Sequence, residues 1–383
     1  MCGVYFYIMG MKKTPHKTLW NADVLNLSVN VIEDMLELET APNATYSGKT
    51  IVCHILNAAT SKTSVSNVSK LCADAPSEGT IRYRLRHLDL NPVQTNLNEQ
   101  MKIHAYQTIP RKKLELAIDF VNNPFYGDEE NDNDTIKTQP KQGTSRFFAY
   151  ASIYVILKNK RYTLAIKHIR KRDTLKDTVD FLIKEIESIG FKIKTLYLDR
   201  EFYSVEVINY LIDRNTSFIM PVVKRGSKGG IRNLLKGNKS YSTEYTMRSK
   251  KNEATFQVNI VVKYSKGKYD WNGTEYFAYA VNNVNIPIKN TFKQYRKRFG
   301  IESSYRMMNQ SRVHTSTKKP ERRLLYIGLG LLLVNIWIYI QWTYLSIPRQ
   351  GGRQKVTWTF KTMLRQIIRA TDEILGFSTK ILI

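Results

Sequence analysis

LELAIDFV (114–121), FFAYASIYVILK (147–158), RYTLAIKHI (161–169), DTLKDTVDFLIKEIESIG (173–190), TLYLD (195–199), SVEVINYLIDRN (204–215) and SFIMPVV (217–223) follow one another along one stretch of the chain. The first three are compact apolar runs of strand length, and Asn159-Lys160 joins the second to the third as a hairpin would. The fourth repeats apolar residues at helical spacing through Leu175, Val179, Leu182, Ile186 and Ile189. Asp173 or Thr174 caps its start and Gly190 stops it. A short buried strand, a second helix and a last strand complete the run.

The order β-β-β-α-β-α-β, with three meandering strands before the first helix, predicts a mixed α/β fold. It is the order of a ribonuclease H-like core and not of a doubly wound nucleotide-binding sheet. Working outward, residues 1–110 read as a helical region. After Ala75-Pro76, SEGTIRYRLRHL (77–88) takes Ser77 as N-cap and sets Arg82, Arg84 and Arg86 around a short helix. With SVSNVSKLC before it, this pattern fits either a helix-turn-helix that contacts DNA or a small bundle with a basic face. The core runs over 111–223. Residues 224–287 read as an all-β insertion that opens on a basic, glycine-rich loop with Lys224, Arg225, Lys228 and Arg232 as phosphate contacts. Asn272-Gly273 marks a hairpin turn within it. Residues 288–350 resume the core, and 351–383 form a basic tail.

The chain has 383 residues, with 59 Lys and Arg against 33 Asp and Glu, a formal charge of +26. At 42% hydrophobic and 24% charged, it is no disordered chain, coiled coil or collagen. A surplus of that size calls for a polyanion, with nucleic acid ahead of an anionic membrane. Cys2, Cys53 and Cys72 make neither a disulfide framework nor a thiolate zinc site, which points to a reducing, cytoplasmic setting. No signal peptide is read at the N-terminus, where Met11 offers an alternative start. The uncharged run 324–347 is long enough to span a membrane, yet an all-round apolar helix also suits a large core, and the buried helix is the expectation.

Asp119 and Asp199 each close an apolar strand run. In the expected sheet the first and fourth strands are neighbours, so the two carboxylates converge, and a hard divalent cation resolves their repulsion. FKQYRKRFGIESSYRMMNQSR (292–312) supplies a third acid: Tyr295, Arg298, Glu302 and position 309 share one face of a continuous helix. Glu201 reads as a secondary ligand or, ahead of that, as an ion-pair partner of Arg200 or nearby basic groups, and the acidic run 128–134 as solvated turn residues.

These three pieces, LAIDFVNNPFYG, LYLDREFYSVEVI and YRKRFGIESSYR, resemble the DDE transposases of prokaryotic insertion sequences, in the group with a Tyr-x2-Arg-x3-Glu-x6-Lys signature, its archaeal members nearest. The resemblance covers roughly residues 110–345. It implies that Asp119, Asp199 and Glu302 hold two Mg²⁺ ions about 3.5–4 Å apart, with Mn²⁺ able to replace them. It further implies DNA transposition and recombination by phosphodiester cleavage and strand transfer on double-stranded DNA, by a cytoplasmic, nucleoid-associated homodimer with no membrane role. Tyr295, Arg298, Arg306 and Arg312 would contact DNA. Asn309 stands where the signature has Lys, which leaves a DNA-binding protein without chemistry as the alternative. The β-rich insertion is also a family trait, as is an apolar helix, here with Asn335 and Trp337, packed behind the catalytic sheet.

Overall fold

The run FFAYASIYV (147–155) is buried along its whole length, so its strand needs partners on both edges and cover on both faces. The computed structural model describes residues 19–38, 43–109, 113–127, 133–157, 161–250, 252–266, 272–345, 347–348, 354–355 and 358–377. The start at Met11, the acidic run over 128–132, the Asn159-Lys160 connection and most of the basic stretch after Arg349 lie outside them.

In chain order the helices α1 (Asn21–Leu36), α2 (Gly48–Thr60), α3 (Val65–Leu71), α4 (Glu78–Arg84) and α5 (Leu90–Thr108) come first. Then follow β1 (Lys113–Pro124), β2 (Ile136–Lys141), β3 (Thr144–Val155), β4 (Thr163–Ile169), α6 (Leu175–Glu187), β5 (Lys192–Leu198), α7 (Val205–Asp213) and β6 (Phe218–Pro221). The strands β7 (Tyr241–Arg248), β8 (Glu253–Lys266) and β9 (Asn272–Asn282) lead to α8 (Thr291–Tyr295), a 3₁₀ turn over Arg296–Phe299, and α9 (Gly300–Met308). The chain ends with α10 (Pro320–Ile340), the two-residue strands β10 (Ile347–Pro348) and β11 (Gln354–Lys355), and α11 (Phe360–Leu375). Two compact units result, Arg111–Ser303 and a helical one made of Met1–Pro110 with Ser304–Ile383.

The sheet unit holds one large mixed sheet in the order β2-β3-β1-β5-β6-β9-β8-β7, with β4 also on β3. β1 and β5, the first and fourth strands of the sequence reading, are adjacent and parallel, with Ile118 opposite Leu198. Hairpin strand β2 was not expected. It turns into β3 through Gln142 and Gly143, both at positive φ, the backbone that a tight hairpin turn requires. The Asn-Gly turn is misplaced in the sequence reading. Asn272 and Gly273 pair with Lys266 and Ser265 inside the β8–β9 ladder, which continues past Tyr264 and Thr274 without a turn at this position. β9 pairs antiparallel with β6, so the β-rich segment continues the central sheet.

α6 starts where Thr174 accepts from the Asp177 amide, and Gly190 turns the chain at φ +76°. It lays Val179, Leu182 and Ile186 inward, as the spacing predicts. Gly300, at the start of α9, sits against Tyr154: a Cβ there would collide with the Tyr154 hydroxyl and come within 3.1 Å of the Arg161 guanidinium carbon.

In the helical unit the apolar helix α10 is buried nearly all round, in a stretch that is 94% buried. It packs chiefly on α5 and belongs to this unit by its contacts. A helix with no polar face needs cover on every side, and α1, α2, α5 and α11 supply it. Gly328 admits Leu97, and Gly330 lies 2.8 Å, at its Cβ position, from Met308. Asn335 donates to the Met101 carbonyl and Trp337 Nε1 to that of Trp358. Ser47, Ser64 and Ser77 each cap their helix by accepting an amide hydrogen bond.

Two histidines are held neutral by burial: His104, edge-on to Tyr339 at 4.6 Å, and His168, beside Phe148 and Tyr150, each pushed down to about 4 from 6.5. Both bind protons more weakly folded than unfolded, so stability holds above pH 6.5 and is lost as pH falls toward 4. Thermal melts are expected to show that fall, and His104→Phe, which keeps a ring against Tyr339, to lessen it. Gly300→Ala is expected to lower the melting temperature, because overpacking costs about 1–3 kcal/mol and outweighs any gain in helix propensity.

Candidate active site

Ile118 and Leu198 are partners across the parallel β1–β5 pair, and the residue after each is an aspartate. Neighbouring strands lie about 4.8 Å apart, so the two carboxylates start from adjacent positions. β5 ends at Leu198, and Asp199 leads into a 3₁₀ turn, Arg200–Phe202. β1 continues to Pro124, which places Asp119 within the strand, opposite Ser152 of β3, and not at its end as the apolar run suggested. The reason is that β3 goes on pairing through Phe147 and stabilises β1 well beyond the aspartate.

The two acids meet at Arg298. Its Nη1 lies 2.8 Å from Asp119 Oδ2, and its Nη2 donates to Asp199 Oδ1 at 3.2 Å. The arginine side chain is only 7% exposed, so this ion pair works in a medium that screens poorly. Asp119 Oδ1 also accepts from the Phe120 amide at 2.9 Å. Burial pushes the Asp119 carboxyl up to about 6, Arg298 opposing and the Asp199 charge adding to the rise. Burial alone would lower the Arg298 guanidinium, but Asp119, Tyr295 and Asp199 hold it above its ordinary value.

The β-rich segment positions this arginine. α8 rests on β8 and β9: Asn259 Nδ2 donates to Thr291 Oγ1 at 3.0 Å, Phe292 packs edge-on to Phe277, and Tyr279 lies against Tyr295. Tyr295 is buried and donates to the Leu198 carbonyl at 3.2 Å, closing the last backbone acceptor of β5. Burial raises its hydroxyl above the ordinary phenol range, so it stays protonated. Lys297 pairs with Glu115 at 3.0 Å, anchoring the 296–299 turn to β1, and the Tyr295 and Phe299 rings flank the guanidinium.

Glu302 does not join the two aspartates. It is exposed in the first turn of α9, and among the described residues no group of three His, Cys, Asp or Glu is placed to hold a metal ion. The expected single helix from Tyr295 to position 309 is broken instead into α8, the 3₁₀ turn and α9. A 3₁₀ residue turns ~120° against ~100° in an α-helix, so four of them shift the face by about 80°. Tyr295 and Arg298 therefore face the aspartates while Glu302 does not.

Arg306, in the last turn of α9, and Asn309 are exposed, and Arg312 is half-buried; all three lie in the helical unit. In that unit Arg82 pairs with Glu78, Arg84 is half-buried, and the Arg86 guanidinium covers the exposed Tyr83 ring at 3.8 Å. Arg322 donates to the carbonyls of Arg82 and Leu85, a cation at the C-terminal end of α4. Lys224 and Arg225 are exposed after β6, and Lys224 donates to the Tyr276 carbonyl.

Next to Asp199 opens a cavity of about 620 Å³, lined by Arg200, Glu201, Lys224, Tyr276, Phe277 and Tyr279 among others. The sequence reading missed these aromatics, taking TEYFAYAV only as a strand. Their signal was a cluster of three aromatic rings on a segment bordered by basic residues. Glu201 faces this cavity and is exposed.

A family model described as a transposase DDE domain matches residues 130–336, which includes Asp199, Tyr295, Arg298 and Glu302 and begins after Asp119. Among solved structures, the chain is similar to a piggyBac transposase in a cryo-EM synaptic complex with hairpin DNA. The TM-score is 0.55 at 13% identity, over 94% of this chain and 81% of that one, a likeness of fold. No match was found among curated proteins. The family model covers more than half of the chain, and with two strand-borne aspartates meeting at one cation in a mixed α/β sheet, this protein belongs to the transposase DDE domain family: it is a transposase that cleaves and joins DNA.

Proposed function

We propose that this transposase moves an insertion sequence with Asp119, Asp199 and Glu302 as its acids, on a ribonuclease H-like core of the Tyr-x2-Arg-x3-Glu-x6-Lys group. The observation that carries the reading is the placement of Asp119 and Asp199 one residue beyond a paired position on adjacent parallel strands, sharing one cation. The donor set fits a hard divalent ion in its chemistry: carboxylate oxygens, converging and mutually repelling. Asp119 and Asp199 would hold Mg²⁺ or Mn²⁺, with Glu302 completing the set. Such ions activate a water and stabilise a leaving 3′-oxygen when bound.

The chain's own groups do the rest. Tyr295 fixes the end of β5 and so the direction of Asp199. Lys224, Arg225, Arg200 and the aromatic cavity beside Asp199 suit a DNA backbone with an unstacked base. Arg306 and Arg312 supply positive charge where Asn309 replaces the signature lysine. In the helical unit, α3 and α4 with Arg82, Arg84 and Arg86 serve as the element-end reader, and two copies of the chain bring two DNA ends together. The setting is the cytoplasm, at the nucleoid. A DNA-binding protein without chemistry is the second reading, favoured by Asn309 and by the exposed Glu302.

A nicking assay on DNA carrying the element's terminal repeats, with Mg²⁺, tests the choice. Wild type is expected to nick, and Asp199→Ala and Asp119→Ala to lose at least about a thousandfold, or ~4 kcal/mol. Equal inertness of all three would overturn Asp119 and Asp199 as the acids and favour the binding-only reading. DNA affinity is expected to fall steeply with salt, and Arg86→Ala to reduce the log–log slope by about 1 while weakening unrelated sequences as much. A slope unchanged by that substitution would remove Arg86 from the interface.

A further inference from the structure

We infer that Arg298 is a built-in counter-cation of the active site, which occupies the charge position between Asp119 and Asp199 and must be exchanged for the divalent ion. The inference deepens the proposed function and rests on its assignment of the two aspartates as metal ligands.

The geometry carries it. One guanidinium spans both carboxylates, at 2.8 Å and 3.2 Å, with its side chain 7% exposed. Two acids that converge in a buried site repel unless a cation stands between them, and here the cation is covalently part of the chain. The arginine is held there by charge and by flanking rings, not by a full set of hydrogen bonds: its Nε is buried without an acceptor. A planar fork suits two carboxylates as no other side chain does. A divalent ion binding the same oxygens would face a buried like charge at close range, so the guanidinium has to withdraw.

The backbone at this position is suited to that withdrawal. Arg298 sits in the 3₁₀ turn at 296–299, between two α-helical segments, and a 3₁₀ stretch inside a helix often marks a hinge. If the turn relaxes to α-helix, the three- and four-residue spacings return Glu302 to the face of Tyr295. The same relaxation leaves Arg298 near that face, so its release is a withdrawal of the side chain while Glu302 is recruited. The absence of a third carboxylate at the site follows from the same turn that delivers the arginine.

The test is the binding of Mn²⁺ to the full chain without DNA, followed by calorimetry and by the electron paramagnetic resonance of free Mn²⁺. Arg298→Gln is expected to bind Mn²⁺ about tenfold or more tightly than wild type, Arg298→Lys to fall between, and Asp199→Asn to abolish the site. If Arg298→Gln melts cooperatively only when Mn²⁺ is added, that also supports exchange. A folded Arg298→Gln or Arg298→Lys that binds Mn²⁺ no tighter than wild type overturns it. Where wild type still nicks DNA with Mg²⁺, that result leaves the proposed function standing and removes only the exchange. Failure of every form to bind Mn²⁺, together with inert wild type, would remove both.

Discussion

Two half-buried carboxylates side by side on neighbouring strands repel each other unless a cation stands between them, and the sheet unit is organised around that constraint. The parallel pairing of β1 with β5 puts Asp119 and Asp199 next to each other, and Arg298 answers them from a different part of the chain. To reach them, the arginine must come from a rigid mount. α8 is that mount, fixed by Asn259, Phe277 and Tyr279 of β8 and β9, while Lys297 ties the following turn to Glu115 of β1. The β-rich segment is therefore part of the active-site scaffold, as a continuation of the sheet.

The helical unit answers a different demand. α10 is apolar on every face, and a helix of that kind is stable in water only when surrounded. Residues from both ends of the chain enclose it, which is why Met1–Pro110 and Ser304–Ile383 form one unit although the sheet unit separates them in sequence. Glycines at 328 and 330 allow the close approach of Leu97 and Met308, and the buried Asn335 finds a carbonyl on α5. Length and composition would suit a membrane span equally well; burial by neighbouring helices distinguishes the two.

Basic charge is spread over both units, and its surplus of +26 suits a chain whose family acts on DNA. Its local arrangement is specific. Arg86 covers the Tyr83 ring, Lys224 borders an aromatic cavity, and Arg298 is withdrawn among acids and carries no free surface charge. A count of basic residues treats the three as alike, whereas burial and partners set them apart.

The order of strands and helices from β1 to β6 apart from β2, the caps at Ser77 and Thr174, the helical face through Val179, Leu182 and Ile186, and the adjacency of Asp119 and Asp199 were determined by the sequence itself. These depend on local propensity, on periodicity and on topological rules with few solutions. The Gln142-Gly143 turn was legible too, though unread. Tertiary structure alone decided the rest. Whether Tyr295, Arg298 and Glu302 share a face depends on how tightly four residues wind, and that winding answers to Glu115, Asp119 and Asp199, which lie more than ninety residues away. Spacing along a chain predicts a face only while the helix keeps one pitch. Where distant charges pull one turn tighter, the pitch is set by the partner, and no window of sequence contains it.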